Sequence, residues 1–243
     1  MTKTFFGFKQ VNAAAKAGMV RDVFSSVAGK YDIMNDFMSF GLHRLWKHEM
    51  IKKLAPRSGQ KYLDVAGGSG DIGFKVWEKG AEVTLTDINP DMLQVAKNKA
   101  VDQNKLSGLR FEVADAENLP FAENEFDILG IAFGIRNVTN IDKGLAEFHR
   151  VLKPGGRFVC LEFSDVENEI IKKFYDLYSF NIIPKIGGIV ANDEASYQYL
   201  VESIRKFPPA PEFAKMIEAA GLKDVGYKKY THGVVAVHWG IKL

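Results

Sequence analysis

Two carboxylates bracket a run of glycines in Lys61-Tyr-Leu-Asp-Val-Ala-Gly-Gly-Ser-Gly-Asp-Ile-Gly73, with Asp64 before the turn and Asp71 directly after Gly70. Gly67, Gly68 and Gly70 allow a tight turn and a close backbone approach to a ligand, and Ser69 adds a hydroxyl. Further along, Asp87 ends an apolar run, Asp115 and Ala116 follow another, and Ala132-Phe-Gly-Ile-Arg-Asn137 closes a third. Gly68-Ser-Gly-Asp-Ile-Gly73 also satisfies the GxGxxG spacing of dinucleotide sites, a weak signal alone. A diphosphate needs bare backbone donors at a helix N-terminus, and carboxylates at both ends of the turn repel it. They suit a ligand that carries positive charge. S-adenosylmethionine, with a sulfonium and an ammonium, is such a ligand. Asp87 can then accept hydrogen bonds from both ribose hydroxyls, and Asp115 with neighbouring backbone can meet an adenine. Each acid taken singly could cap a helix or face solvent, Asp71 more readily than Asp87.

The elements that must carry these residues alternate. Strands are predicted over Lys61–Val65, Glu82–Asp87, Leu109–Val113, Phe126–Ile131 and Arg157–Phe163, with helices over Asp71–Lys79, from Pro90, and around Ile141–Leu152. Lys153-Pro-Gly-Gly156 reads as the turn that ends the last of these helices. Such alternation implies a parallel sheet covered on both faces, with ligands beyond the carboxyl ends of its strands. Lys223–Tyr230 and Val234–Ile241, joined by Thr-His-Gly, predict a terminal antiparallel hairpin, which the usual dinucleotide domain lacks. One domain is expected over 1–243, with a helical cap at 1–57, a ligand-binding core at 58–163, a helical, aromatic insertion at 164–210, and a last helix and hairpin at 211–243. In the cap, Leu42, Leu45, Trp46, Met50 and Leu54 recur at helical spacing, as a face for packing or for a greasy ligand or bilayer. The insertion carries Phe174, Tyr175, Tyr178, Phe180, Tyr197 and Tyr199.

Composition excludes several classes. Across 243 residues, 32 Lys and Arg against 30 Asp and Glu leave a net charge of +2, with no strong pull towards nucleic acid or anionic membrane. No run is apolar enough to span a bilayer. The first residues lack the pattern of a secretory signal, and Cys160 is the single cysteine, so a cytoplasmic, reducing compartment is expected. Cys160 lies in the apolar run Phe158–Glu162 and reads as a core residue.

Asp64-Val-Ala-Gly-Gly-Ser-Gly-Asp71, Thr86-Asp-Ile-Asn89, Ala116-Glu-Asn-Leu-Pro-Phe121 and Leu152-Lys-Pro-Gly-Gly156 resemble the motifs of class I S-adenosylmethionine-dependent methyltransferases. The closer resemblance is to the ubiquinone/menaquinone biosynthesis C-methyltransferases, the UbiE/COQ5 family. It rests on Phe6-Gly-Phe8, Val27-Ala-Gly-Lys-Tyr-Asp-Ile-Met-Asn-Asp36, Met38-Ser-Phe-Gly-Leu-His-Arg-Leu-Trp-Lys47 and Phe133-Gly-Ile-Arg-Asn-Val138. Tyr178-Ser-Phe180, Tyr199-Leu-Val-Glu-Ser-Ile204 and Gly233-Val-Val-Ala-Val-His238 extend it over almost the whole chain.

The resemblance implies a Rossmann-like α/β fold with a mostly parallel seven-stranded sheet, a C-terminal antiparallel hairpin and N-terminal helices. It implies S-adenosyl-L-methionine as cofactor, held by Asp64, Gly67, Gly68, Ser69, Gly70, Asp87, Asp115, Ala116 and Ala132. Many members carry Ser where Ala132 stands, so this chain lacks that hydroxyl. The implied substrate is a polyprenylated quinol, either a 2-methoxy-6-polyprenyl-1,4-benzoquinol or a demethylmenaquinol, methylated at a ring carbon without a metal. Arg136 and Asn137 are then expected at the acceptor ring, stabilising the phenolate and orienting its oxygen. His43, Asp36, Tyr178 or a water on Asn137 could take the ring proton. No nucleic-acid partner is implied, whereas a peripheral contact with the inner face of the membrane and a homodimer or biosynthetic complex stay open. Alternatives are an O- or N-methyltransferase, an NAD-dependent oxidoreductase and a non-catalytic cofactor-binding subunit.

Overall fold

A computed structural model describes residues 3–27, 36, 39, 41–105, 107–167, 169, 173, 184–185 and 193–243. Its centre is a seven-stranded sheet. β3 (Lys61–Val65) lies between β4 (Glu82–Asp87) and β6 (Phe126–Ala132), parallel to both. β5 (Leu109–Val113) extends the sheet on one side; β7 (Leu152–Phe163), β9 (Val235–Ile241) and β8 (Lys223–Tyr230) extend it on the other. β9 runs antiparallel to both neighbours, as the terminal hairpin predicts. The chain thus leaves β3 to one side and returns to its other side at β6, which makes the gap between their carboxyl ends the place for a ligand.

Both ends are unusual there. Ala66 and Phe133, the residues just past β3 and β6, have φ of 50° and 57°, a left-handed conformation that costs a non-glycine residue about 1 kcal/mol or more. Gly134 allows these loops to meet, since a Cβ on it would stand 2.7 Å from that of Ala66.

Side chains alternate across the sheet with the period of two. Tyr62, Ile128, Val159 and Leu161 pack to one side, with Trp46, Met50 and Leu54 of α2 (His43–Leu54) and with α3 (Asp71–Trp77). Leu63, Leu129, Phe158 and Cys160 pack to the other, with Leu145 and Phe148 of α5 (Ile141–Val151) and Phe213 and Ile217 of α7 (Ala210–Ala219). α4 (Pro90–Asp102) starts where predicted, with Asn89 accepting from the Asp91 N–H as its cap. Cys160 is fully buried, and burial pushes its thiol well up.

Three sequence expectations change. The first residues are not purely a helical cap: β1 (Lys3–Phe6) and β2 (Lys9–Asn12) form an antiparallel hairpin ahead of α1 (Ala13–Val27). Tertiary docking holds it, with Phe6 stacked 4.0 Å from Tyr199 and the Phe8 N–H donating to Glu202 on α6 (Glu194–Lys206). The apolar positions of α2 also divide. Trp46, Met50 and Leu54 are buried, and the Trp46 indole donates to Thr231, while Leu42 and Leu45 remain exposed. Trp46 is therefore a core residue and not a bilayer contact. Finally, β7 is continuous from Leu152 with an irregularity, so the Lys-Pro-Gly-Gly turn lies inside a strand. Gly155 still has a φ of 79° there. Phe174, Tyr175, Tyr178 and Phe180 lie outside the described residues. Among the described residues no helix is long and apolar enough to cross a membrane.

Candidate active site

The carboxyl ends of β3 to β6 enclose a pocket whose walls include Gly68, Asp87, Asp115, Ala116, Ala132 and Asn137. α1 closes it from above with Ala17, Val20 and Phe24. A second, smaller cavity shares Ala66, Ala132 and Phe133 with it and continues over the glycine turn past Gly67, Ser69, Asp64 and Asp71. The structure thus brings all but Gly70, Arg136 and the proposed bases among the sequence-selected residues to these two adjoining cavities. Gly70 acts through conformation: its φ is 86° and it caps α3. Ala132 lines both cavities with its methyl group.

The turn has little left for a diphosphate. The Gly67 N–H donates to the Thr86 carbonyl at 2.8 Å, that of Gly68 to Asp87 Oδ2 at 3.0 Å, and that of Gly70 to the Gly67 carbonyl at 3.0 Å. Anion-binding turns work by leaving such donors bare. Here they are engaged within the protein, and what faces the ligand is acid. A Cβ on Gly67 would stand 2.9 Å from Leu85 and 3.0 Å from Asp64 Oδ2, so only glycine fits above Asp64.

Three carboxyls give this wall its electrostatics. Burial lifts Asp64 to about 7, against the Tyr62 hydroxyl that donates to it at 3.0 Å and the Gly73 N–H. Burial lifts Asp87 to about 6, against the N–H groups of Asn89, Gly68 and Ile88. Burial alone would also raise Asp71, but Lys47 at 2.6 Å and Lys99 at 3.8 Å outweigh it and hold that carboxyl below its ordinary value. Asp71 is therefore one half of an ion pair rather than a bare negative charge. Asp115 accepts from the Glu117 N–H at 2.9 Å, which shapes the loop after β5.

The raised pair has a consequence for stability. A carboxyl whose folded pKa exceeds its unfolded value binds more protons when folded, so its contribution is present at low pH and lost as pH rises through the folded pKa. For Asp64, lifted to about 7, that window runs from pH 4 to 7. Asp64→Asn is expected to gain roughly 2–3 kcal/mol relative to the parent between pH 5 and 8. Urea unfolding at both pH values measures it, and an unchanged difference would remove the charge from this account.

At the other end, Asn137 and Arg136 sit on the 3₁₀ turn Ile135–Asn137 after β6. Asn137 faces the pocket, and its Oδ1 accepts from the Tyr199 hydroxyl at 2.9 Å. That bond turns the amide nitrogen towards the remaining space, where it can donate. Arg136 points elsewhere. Its guanidinium is buried, 2.8 Å from Glu162 Oε1, and also donates to Ser203 and to the Phe133 carbonyl. Burial raises the Glu162 carboxyl, and the guanidinium with the N–H groups of Phe163 and Arg136 opposes that rise. Of the base candidates, His43 is buried against Ser39 at 2.8 Å, and burial lowers its pKa, while Asp36 pairs with Arg44 at 2.7 Å. Tyr178 lies outside the described residues.

Sequence reasoning missed the partners. Lys47 stood at the end of a quoted motif with no role, Glu162 read as part of a strand, and α1 read as a cap with no pocket residue. The usable signal was charge inside apolar surroundings: Lys47 lies beside Trp46 on the buried face of its helix, and Glu162 interrupts a core strand.

Residues 10–242 match the family described as the ubiE/COQ5 methyltransferase family. A ubiquinone/menaquinone biosynthesis C-methyltransferase of Brucella canis is 54% identical over 98% of this chain and 90% of its own. The human mitochondrial 2-methoxy-6-polyprenyl-1,4-benzoquinol methylase is 49% identical over 99% of this chain and 85% of its own. Among solved structures, a Thermotoga maritima protein described as a SAM-dependent methyltransferase aligns with a TM-score of 0.64 at 18% identity, over 92% of this chain and all of that one, which shows the fold. The motifs at the strand ends, the seven-stranded order with its terminal hairpin, and identity near one half along the full length converge: this chain belongs to the ubiE/COQ5 methyltransferase family.

Proposed function

We propose that the protein methylates a ring carbon of a polyprenylated benzoquinol or naphthoquinol, with S-adenosylmethionine as donor, in ubiquinone or menaquinone biosynthesis. One observation carries this reading: a single pocket holds Asp87, Asp115 and Ala116 at one end and Phe133, Gly134 and Asn137 at the other. The first group suits a ribose and an adenine; the second lies where an acceptor would meet the methyl. Acids on the wall and engaged amides in the turn fit a cationic donor and disfavour a diphosphate. Bound S-adenosylmethionine supplies an electrophilic methyl on positively charged sulfur.

The chain's own residues then have three tasks. Asp87 anchors the ribose end, and α1 with Val20 and Phe24 excludes water. Once the quinol hydroxyl has given its proton to water, Asn137, held by Tyr199, donates to the resulting phenolate oxygen, which favours attack by the adjacent carbon. The Arg136–Glu162 pair fixes the turn that carries Asn137, so Arg136 works as a positioning residue. After methyl transfer the ring proton leaves to restore aromaticity, and we take a water held at Asn137 as its acceptor.

Tyr199→Phe removes only the hydroxyl that orients Asn137. It is expected to lower kcat about 10-fold with an unchanged Kd for S-adenosylhomocysteine, since geometry at the acceptor and not cofactor binding is altered. An equal loss in both would place Tyr199 in folding instead. The function itself is tested with labelled donor and short-chain demethylated benzoquinol and naphthoquinol: ring-carbon methylation of either supports it, and transfer to neither removes it. Quinone analysis of cells lacking the protein identifies the natural ring through the precursor that accumulates.

A further inference from the structure

S-adenosylmethionine carries a carboxylate as well as its two cations, and an acid-lined wall repels it. The described residues around the two adjoining cavities include five acids, Asp64, Asp71, Asp87, Asp115 and Glu117, and one cation, Lys47. Its side chain is only 7% exposed, and its Nζ lies 2.6 Å from Asp71 Oδ2. The cavity it borders offers about 20 Å³, room for a group of the size of a water or carboxylate oxygen. Ser69, Gly67, Ala132 and Phe133 complete its walls.

We propose that Lys47 binds the carboxylate of the cofactor's methionyl group, with Asp71 as the partner that holds its ammonium in place. This rests on the reading of the donor as S-adenosylmethionine. An ammonium has three hydrogens, and the bond to Asp71 uses one. Burying the others without acceptors is costly, whereas a carboxylate in the adjoining cavity takes them. The pair also complements an amino-acid head group: Lys47 faces its carboxylate, while Asp71 offers a negative charge for its ammonium. The cavity shares Ala66, Ala132 and Phe133 with the main pocket, so a ligand with its ribose at Asp87 would run across the glycine turn to reach Lys47.

Calorimetry of the full chain with three ligands separates the claims. S-adenosylhomocysteine carries the carboxylate, its decarboxylated analogue lacks it, and methylthioadenosine lacks the whole head group. The parent is expected to prefer S-adenosylhomocysteine over the decarboxylated analogue by about 10- to 100-fold, the range of a charged hydrogen-bonded contact. Lys47→Met should abolish that preference with methylthioadenosine binding unchanged, and Lys47→Arg should restore part of it. Methylthioadenosine binding also reports folding. If Lys47→Met loses it, the uncharged pair Lys47→Gln/Asp71→Asn, which leaves no buried lone charge, is read in its place by the same ratio. A variant that keeps the preference, or a parent without one, overturns the role of Lys47 while leaving the cofactor reading intact. A parent that binds none of the three overturns both.

Discussion

Asp87→Ala is expected to weaken S-adenosylmethionine binding about 100-fold while the protein stays folded. Asp87 ends β4 with one carboxylate oxygen accepting from the Gly68 N–H at 3.0 Å and the other from the Asn89 N–H at 2.9 Å. These two bonds tie the glycine turn to the next strand and leave lone pairs directed into the pocket. Two ribose hydroxyls donating to a charged acceptor contribute about 1.5–3 kcal/mol each, so the loss lies at or above two decades. Asp87→Asn should fall between, because the amide has one acceptor oxygen and its nitrogen would face the N–H of Gly68 or Asn89. Calorimetry with S-adenosylhomocysteine measures it, and a thermal melt checks the fold. A Kd within threefold of the parent would move the ribose elsewhere and dismantle the assignment of this pocket.

Arg136→Ala is expected to abolish turnover and destabilise the protein by about 3–5 kcal/mol, because Glu162 would be left buried and unpaired. The two side chains are 5% and 1% exposed, which places the pair in the core below the turn that bears Asn137. For a domain of this size the change lowers Tm by roughly 10 °C. Arg136→Met/Glu162→Gln removes both charges and should recover much of that stability, but not the turnover, since the turn loses the guanidinium that also binds Ser203 and the Phe133 carbonyl. Chemical denaturation and kcat on the single and double variants distinguish the outcomes. Full activity in the double variant would show that the pair serves stability alone. An Arg136→Ala protein with parental Tm would contradict the burial itself.

Asp87 was legible as a pocket residue because its place is local: an apolar strand, its carboxyl end, and a helix opened by Asn89 and Pro90. Arg136 was expected at the acceptor ring, and its burial against Glu162 was not legible, because that partner is 26 positions away on a strand. The N-terminal hairpin was not legible at all. Its strands have four residues each and no apolar alternation strong enough to mark them, and they are held by Tyr199 and Glu202 nearly two hundred positions later.

Local patterning was enough for the parallel sheet, the glycine turn and the motifs that place the chain in its family, because strand period, turn chemistry and capping act over a few residues. Charge partners and ionisation were beyond it. Lys47 neutralises Asp71 across 24 positions, Tyr199 aims Asn137 across 62, and Asp64 is lifted to about 7 by burial under a sheet that closes over it. The same stretch of acids and glycines, Asp64–Asp71, could border solvent or a core. Only packing decides the local dielectric and which opposite charge stands within reach, and those two quantities turn a row of acids into a site.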